Sequence, residues 1–166
     1  MSATPRLFVG PDLADGANIT IEGDQAHYLM RVMRLAPGAP VRVFNGRDGE
    51  FAASLSGASS RSAAVLDIGV RSREQRASPD LWLLFAPLKK ARTDFVVEKA
   101  TELGVSEIVP VFTERTDADT VRVDRLMRIA IEAAEQTERL DVPAVREAVK
   151  LETLLTSLFY ENRAQP

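Results

Sequence analysis

Cysteine is absent from the 166 residues and histidine occurs once. No disulfide and no thiolate metal site can hold the chain together, and a histidine-built zinc centre is excluded. No apolar run approaches the roughly 20 residues of a membrane span. The polar start Met1-Ser2-Ala3-Thr4-Pro5-Arg6 lacks the apolar core of a signal peptide. A cytoplasmic protein with no membrane partner is the expectation. Three common nucleotide and hydrolase signatures are also missing: the P-loop, Gly-x-Gly-x-x-Gly and the Gly-x-Ser-x-Gly elbow. A general basic coat is lacking too, since the net charge is −3. Any nucleic acid would have to be held by a local patch.

What is present is 45% hydrophobic content, enough for one ordinary domain or two small ones. The two halves differ. Lysine is absent before residue 80, where arginine alone supplies the positive charge. Residues 5 to 70 read as short strands: Arg6–Val9, Asn18–Ile21, Val41–Phe44, Glu50–Leu55 and Ala64–Val70, with Asn45 to Gly49 as a hairpin turn. Such strands suggest a small barrel, because closure removes exposed edges. One helix interrupts them, capped by Asp24 and running from Gln25 to Leu35 before Pro37-Gly38. Ala26, Leu29, Met30 and Met33 form its inward stripe, and His27, Arg31 and Arg34 share another face at i, i+4 and i+7.

Residues 81 to 112 organise the second half. The run Leu81 to Pro87 is short and unbroken, as in a strand buried on both faces. Lys89, Lys90 and Arg92 follow in a basic loop. Then Val96, Ala100 and Leu103 take one helical face, opposite Asp94, Glu98, Thr101 and Glu102, until Gly104 ends the helix in the left-handed region. A second apolar run, Glu107 to Phe112, completes a βαβ unit with parallel strands and a right-handed crossover. Ligands gather beyond the carboxyl ends of such strands, where the basic loop lies. Asp124 is placed to cap a helix to about Leu140, with Leu126, Ile129, Ala130 and Ala133 inward and Arg128, Glu132, Gln136 and Arg139 outward. Leu151 to Leu158 reads as a short helix and Leu158 to Glu161 as a further strand. Expected units are 1–71 (barrel), 72–79 (linker) and 80–166 (α/β).

The ordered strings Lys89-Lys90-Ala91-Arg92, Val97 to Val105, Ile108 to Arg115, Glu132 to Arg139 and Val142-Pro143 resemble one family over about 60 residues: the bacterial RsmE-type methyltransferases of the SPOUT superfamily. Pro5-Arg6-Leu7-Phe8 and the trio His27, Val32 and Arg34 are similar to its opening and its barrel motif. The resemblance implies a PUA-like or OB-like RNA-binding β-barrel followed by a parallel α/β SPOUT domain. It implies S-adenosylmethionine as cofactor, 16S ribosomal RNA or the small ribosomal subunit as partner, a homodimer, and methylation of a uridine at N3. RNA-contact candidates are then Arg6, His27, Arg31, Arg34, Lys89, Lys90, Arg92, Gln136 and Arg139. Without the family, His27 is equally a surface or satisfied core histidine, Arg6 an ordinary solvated arginine, and the outer stripe of the later helix ordinary ion-pair decoration. Family members continue into a Gly-Pro-Glu-Gly-Gly loop and a trefoil knot that holds the cofactor, and these motifs do not occur here. Tyr160, Glu161 and Asn162 are cofactor-contact candidates by position alone, and no catalytic base is assigned. The alternative to a methyltransferase is a truncated, non-catalytic RNA-binding fragment of one.

Overall fold

A computed structural model describes residues 4–60, 62–76, 78–116 and 120–161, with side chains to residue 157. The chain divides into two compact units, Met1–Ala77 and Ser78–Pro166.

The first unit is a curled five-stranded half-barrel with order β1-β3-β4-β5-β2. Its strands are β1 (Arg6–Phe8), β2 (Asn18–Glu22), β3 (Pro40–Phe44), β4 (Glu50–Leu55) and β5 (Ala63–Arg73). β1 runs parallel to β3, and the other pairs are antiparallel. Alternation decides which face is inside. Leu7, Ile19, Ile21, Val41, Val43, Phe51, Ala53, Leu55, Leu66 and Ile68 form one core with Ala26 and Leu29. Each such fully buried leucine contributes roughly 1.5–3 kcal/mol. A register shift in the β4–β5 pairing between Glu50 and Ala53 adds local twist. Gly49 sits at φ +94, and a Cβ there would stand 2.2 Å from the Arg73 carbonyl oxygen. No side chain fits. The Asn45–Gly49 turn is knit by its own side chains: Asn45 Oδ1 accepts from the backbone N–H of Arg47 and Asp48, and Asp48 Oδ2 accepts from the N–H of Leu13 at 2.9 Å.

The strands expected in this unit are all present, and β5 runs on through Arg73 into the stretch read as linker. The expected helix 25–35 is shorter and broken. Helix α1 (Gly23–His27) carries Asp24 in its first turn rather than at its cap, and a π-helical turn, Tyr28–Val32, follows.

The second unit holds β6 (Trp82–Phe85), α2 (Lys90–Glu102), β7 (Glu107–Phe112), α3 (Val123–Gln136), β8 (Ala144–Val145), β9 (Val149–Lys150) and α4 (Leu151–Glu161). β6, β8 and β9 all pair in parallel with β7. The βαβ expectation therefore holds, while β8 and β9, two residues each, are too short to signal themselves. Trp82 is 39% exposed on β6, which stands at the edge of the sheet among the described residues, and its indole N–H donates to Asp80 at 2.8 Å.

Helix α2 turns a different face inward from the one expected. Thr93, Val97, Ala100 and Thr101 are buried, and Leu103 is 81% exposed. Thr101 enters the core because its hydroxyl donates to the Val97 carbonyl at 2.8 Å, satisfying its only strong polar group. Gly104, at φ +94, stops the helix as expected. Val97, Ala100, Val105, Ile108, Leu126 and Ala130 form the core between helices and sheet, and Arg125 of α3 pairs with Asp94 of α2 across the helix contact. Helix α3 ends at Gln136, before the expected Leu140, with Arg122 at its cap and Asp124 in its first turn. Residues 158–161, expected as a strand, continue α4 instead. Four apolar-rich residues fit either period, and a strand needs a paired neighbour that the described residues do not give it. Among those residues no helix is long and apolar enough to cross a membrane.

Candidate nucleic-acid interface

Because β6, β7 and β9 are parallel, their carboxyl ends share one edge of the sheet: Phe85 lies opposite Pro110, and Phe112 opposite Lys150. The basic loop lies at this edge. Its geometry is fixed by Thr93, whose hydroxyl accepts from the Leu88 N–H and donates to the Leu88 carbonyl, both at 2.9 Å. Lys89 caps α2, Lys90 opens it and Arg92 completes its first turn, which contains no acid. All three side chains are exposed, and none forms an ion pair among the described residues. Three cations at the positive end of a helix dipole cost about 0.3–1 kcal/mol each in the absence of an anion. That arrangement stores affinity for phosphate.

Beside it, at the ends of β7 and β9, lies an open cleft of about 680 Å³, lined by Phe112, Thr113, Glu114, Arg115, Lys150 and Glu152 among others. Thr113 and Thr116 close the loop after β7, with the Thr113 N–H donating to the Thr116 hydroxyl at 2.8 Å. Against S-adenosylmethionine the donor set is chemically mixed in a suitable way: an aromatic ring, two carboxylates and two cations. Yet Glu114, Arg115, Lys150 and Glu152 are all exposed. The described residues form one wall and no enclosed slot, so they do not fit the cofactor by themselves. Tyr160 and Glu161 fall in the last turn of α4, where side chains lie outside the described residues, as does Asn162 altogether.

In the first unit His27, Arg31 and Arg34 are exposed. They do not keep the regular stripe read from their spacing. The Met33 N–H donates to Tyr28 and the Leu35 N–H to Leu29, widening the turn, and Arg34 adopts φ +51. The three remain neighbours in a bent segment, on no single helical face.

Two expected contact residues are engaged within the fold. Arg6 is buried, its Nε donating to Glu50 at 2.6 Å and its guanidinium 3.9 Å above the Phe44 ring. Alternation along β1 turns Arg6 and Phe8 to the side opposite the main core, where Phe8 meets Phe44 edge-on at 5.5 Å. Burial pulls the Arg6 pKa below its usual value, against the opposing pull of the Glu50 hydrogen bond. Arg139, only 10% exposed, donates to the carbonyls of Thr101 and Val105 and pairs with Asp141. It lies past the end of α3, so the helical stripe that placed it outward does not reach it. Gln136 is the last residue of α3 and is exposed.

Arg42 and Arg73 carry no signal in the sequence that singles them out. They stand 3.6 and 3.8 Å from the Glu50 carboxylate, with side chains 35% and 41% exposed. Strand alternation would have placed Arg42 beside Arg6, its register partner. On α2, Lys99 bridges Glu98 and Glu102 at 2.9 and 2.8 Å, an ordinary pairing on a solvated face. Hydrogen bonds to Glu102 and then Glu98 raise its pKa, which marks it as occupied within the helix.

The model of an RNA methyltransferase domain matches residues 75–164, and that of an RNA methyltransferase PUA domain matches residues 21–68. Among curated relatives, a ribosomal RNA small subunit methyltransferase E of Rickettsia conorii is 32% identical over 155 residues, covering 90% of this chain and 62% of its own. Its counterpart from Synechocystis is 33% identical over 142 residues, covering 84% and 46%. A crystal structure of a ribosomal RNA small subunit methyltransferase E from Neisseria gonorrhoeae bound to S-adenosyl methionine superimposes with a TM-score of 0.82 at 26% identity, covering 92% of this chain and 65% of that one. The chain thus spans from about half to just under two thirds of the length of these relatives.

Proposed function

The chain belongs to the RNA methyltransferase family of the RsmE type, a PUA unit followed by a methyltransferase unit, and from that premise we propose that it acts in S-adenosylmethionine-dependent methylation of small-subunit ribosomal RNA, at N3 of a uridine. The observation that carries this reading is the unneutralised trio Lys89, Lys90 and Arg92 at the carboxyl edge of the parallel sheet, on the opening turn of α2. An RNA backbone supplies the anion that this turn lacks.

The residues of this chain have a holding role. The basic loop positions the phosphates next to the target nucleotide, and the His27–Arg34 segment grips the strand elsewhere. When bound, the cofactor supplies an electrophilic methyl group. Uridine N3 carries a proton in its neutral form, so the reaction requires a base and a positive environment for the uracil anion. Ammonium and guanidinium groups serve the second need, and guanidinium cannot serve the first. As in the resemblance, a homodimer is the assembly proposed for the whole enzyme.

The test is to incubate the protein with S-adenosylmethionine carrying a labelled methyl group and unmethylated small ribosomal subunits, then to digest the RNA and identify the nucleoside. Labelled N3-methyluridine is the expected product, and label on another base or atom overturns the specificity. A second reading follows from the open cleft, whose described lining encloses no cofactor: RNA holding without catalysis. It predicts RNA binding with no cofactor binding by calorimetry and no label transfer.

A further inference from the structure

The turn after α1 combines two costly backbone features. Residues Tyr28–Val32 form a π-helical turn, closed by the Met33 N–H on the Tyr28 carbonyl, and Arg34, not a glycine, sits at φ +51. Each costs stability, the second because a left-handed backbone crowds Cβ against the following carbonyl oxygen. Their joint effect is to hold a particular set of side chains outward. Leu29 is fully buried in the core of the first unit and locks the turn in place. Tyr28 beside it is 40% exposed and Val32 is 60% exposed. The Tyr28 side chain makes no hydrogen bond among the described residues, so its hydroxyl is not tied into the fold.

Arg31 and Arg34 follow the ring, are exposed and make no ion pair among the described residues. From His27 to Arg34 the chain contains His27, Arg31 and Arg34 and no acid, whereas Arg42 and Arg47 farther on are paired with Glu50 and Asp12. The nearest acids in sequence, Glu22 and Asp24, precede the turn. An exposed aromatic ring flanked by arginines suits a nucleotide whose base stacks on the ring while its phosphates meet the guanidinium groups. A duplex cannot offer a base face, so the match is to an unpaired residue in a loop or single strand.

We infer that Tyr28 is a stacking platform for an unpaired base of the RNA, with Arg31 and Arg34 holding the phosphates on either side of that base. The inference rests on the RNA-binding reading and adds to it a base contact that does not depend on sequence. The ring, not the hydroxyl, makes the contact.

Filter binding of a radiolabelled 12-nucleotide single-stranded RNA, and of the same strand carrying abasic residues, tests this on the full chain. Tyr28→Ala is expected to weaken binding of the intact strand roughly 5- to 100-fold, and Tyr28→Phe to bind as the parent does. The abasic strand should not distinguish Tyr28→Ala from the parent. Arg31→Ala with Arg34→Ala should weaken both strands and flatten the dependence of log Kd on log salt by about 0.7 for each phosphate no longer held. If Tyr28→Ala binds like the parent while the arginine variants weaken, the stacking inference is wrong and the RNA reading stands. If Phe and Ala lose equally, a hydroxyl contact replaces the stack and the inference fails. If the parent binds neither strand at any salt concentration, the RNA reading itself falls and takes the inference with it. Circular dichroism melting of each variant separates loss of binding from loss of fold.

Discussion

Arg139 caps the carboxyl end of α2 from outside that helix, donating from Nη1 to the Thr101 carbonyl at 2.7 Å and to the Val105 carbonyl at 3.0 Å. Its Nη2 and Nε reach Asp141 at 3.0 and 3.2 Å. A guanidinium at a helix C-terminus meets both the open carbonyls and the negative end of the dipole. Arg139→Ala should therefore lower stability by about 3 kcal/mol, because charged hydrogen bonds disappear and carbonyls are left unmet. Urea unfolding measures this. RNA affinity under folding conditions should stay within about twofold, and a tenfold loss with an unchanged melting curve would restore Arg139 as an RNA contact.

Glu50 is held among three arginines while its side chain is 2% exposed. Glu50→Gln leaves Arg6 buried beside Phe44 without its counter-ion and should cost about 3–5 kcal/mol. Replacing both partners, Arg6→Met with Glu50→Leu, should cost less than Glu50→Gln alone, since no buried charge remains. Denaturant unfolding of Glu50→Gln, of Arg6→Met, of Glu50→Leu and of the double variant decides it; losses that add in the last three would show that the pair is not coupled.

Asp48 titrates below its ordinary value of 3.8, chiefly because it accepts the Leu13 N–H and then the Asn45 amide. A depressed carboxyl pKa contributes stability that is complete above the unfolded value and is lost as pH falls through the folded one. Unfolding followed from pH 6 to pH 2 should therefore steepen below about pH 4. Asp48→Asn should remove part of that acid-side slope and leave the slope above pH 5 alone. An unchanged acid limb would show that the turn is not linked to global unfolding.

Lys89, Lys90 and Arg92 carry a trade-off. Changing all three to glutamine should raise stability at low salt by a few tenths to about 1 kcal/mol per residue, because like charges leave the positive end of α2. The same change should weaken RNA binding and reduce its salt slope. Thermal melts and filter binding on one preparation read both effects; a destabilised variant would show that these cations are satisfied within the fold.

Most of the frame was legible from the residues. Alternation of Ile19 with Ile21 and of Phe51 with Ala53 and Leu55 signals half-buried strands, and Gly104 marks the end of α2. What escaped was set by tertiary context. Thr101 reads as polar, yet one hydrogen bond to Val97 lets it into the core and rotates the helix face. Arg139 reads as the continuation of an amphipathic stripe, but α3 stops three residues earlier. The π turn after α1 has no local signature: its sequence satisfies an ordinary helical period, and only the docking of Leu29 reveals the wider path. Arg6 shows the same limit. A charged residue near a chain start is usually solvated, and its partner Glu50 lies 44 positions away.

The sole tryptophan, Trp82, lies on edge strand β6, partly exposed and tethered to Asp80. Intrinsic emission excited at the indole band therefore reports from one address in the second unit. Covering that edge should shift the emission to shorter wavelength and shield it from acrylamide. The molecule carries its own optical gauge of whether its sheet has found a neighbour.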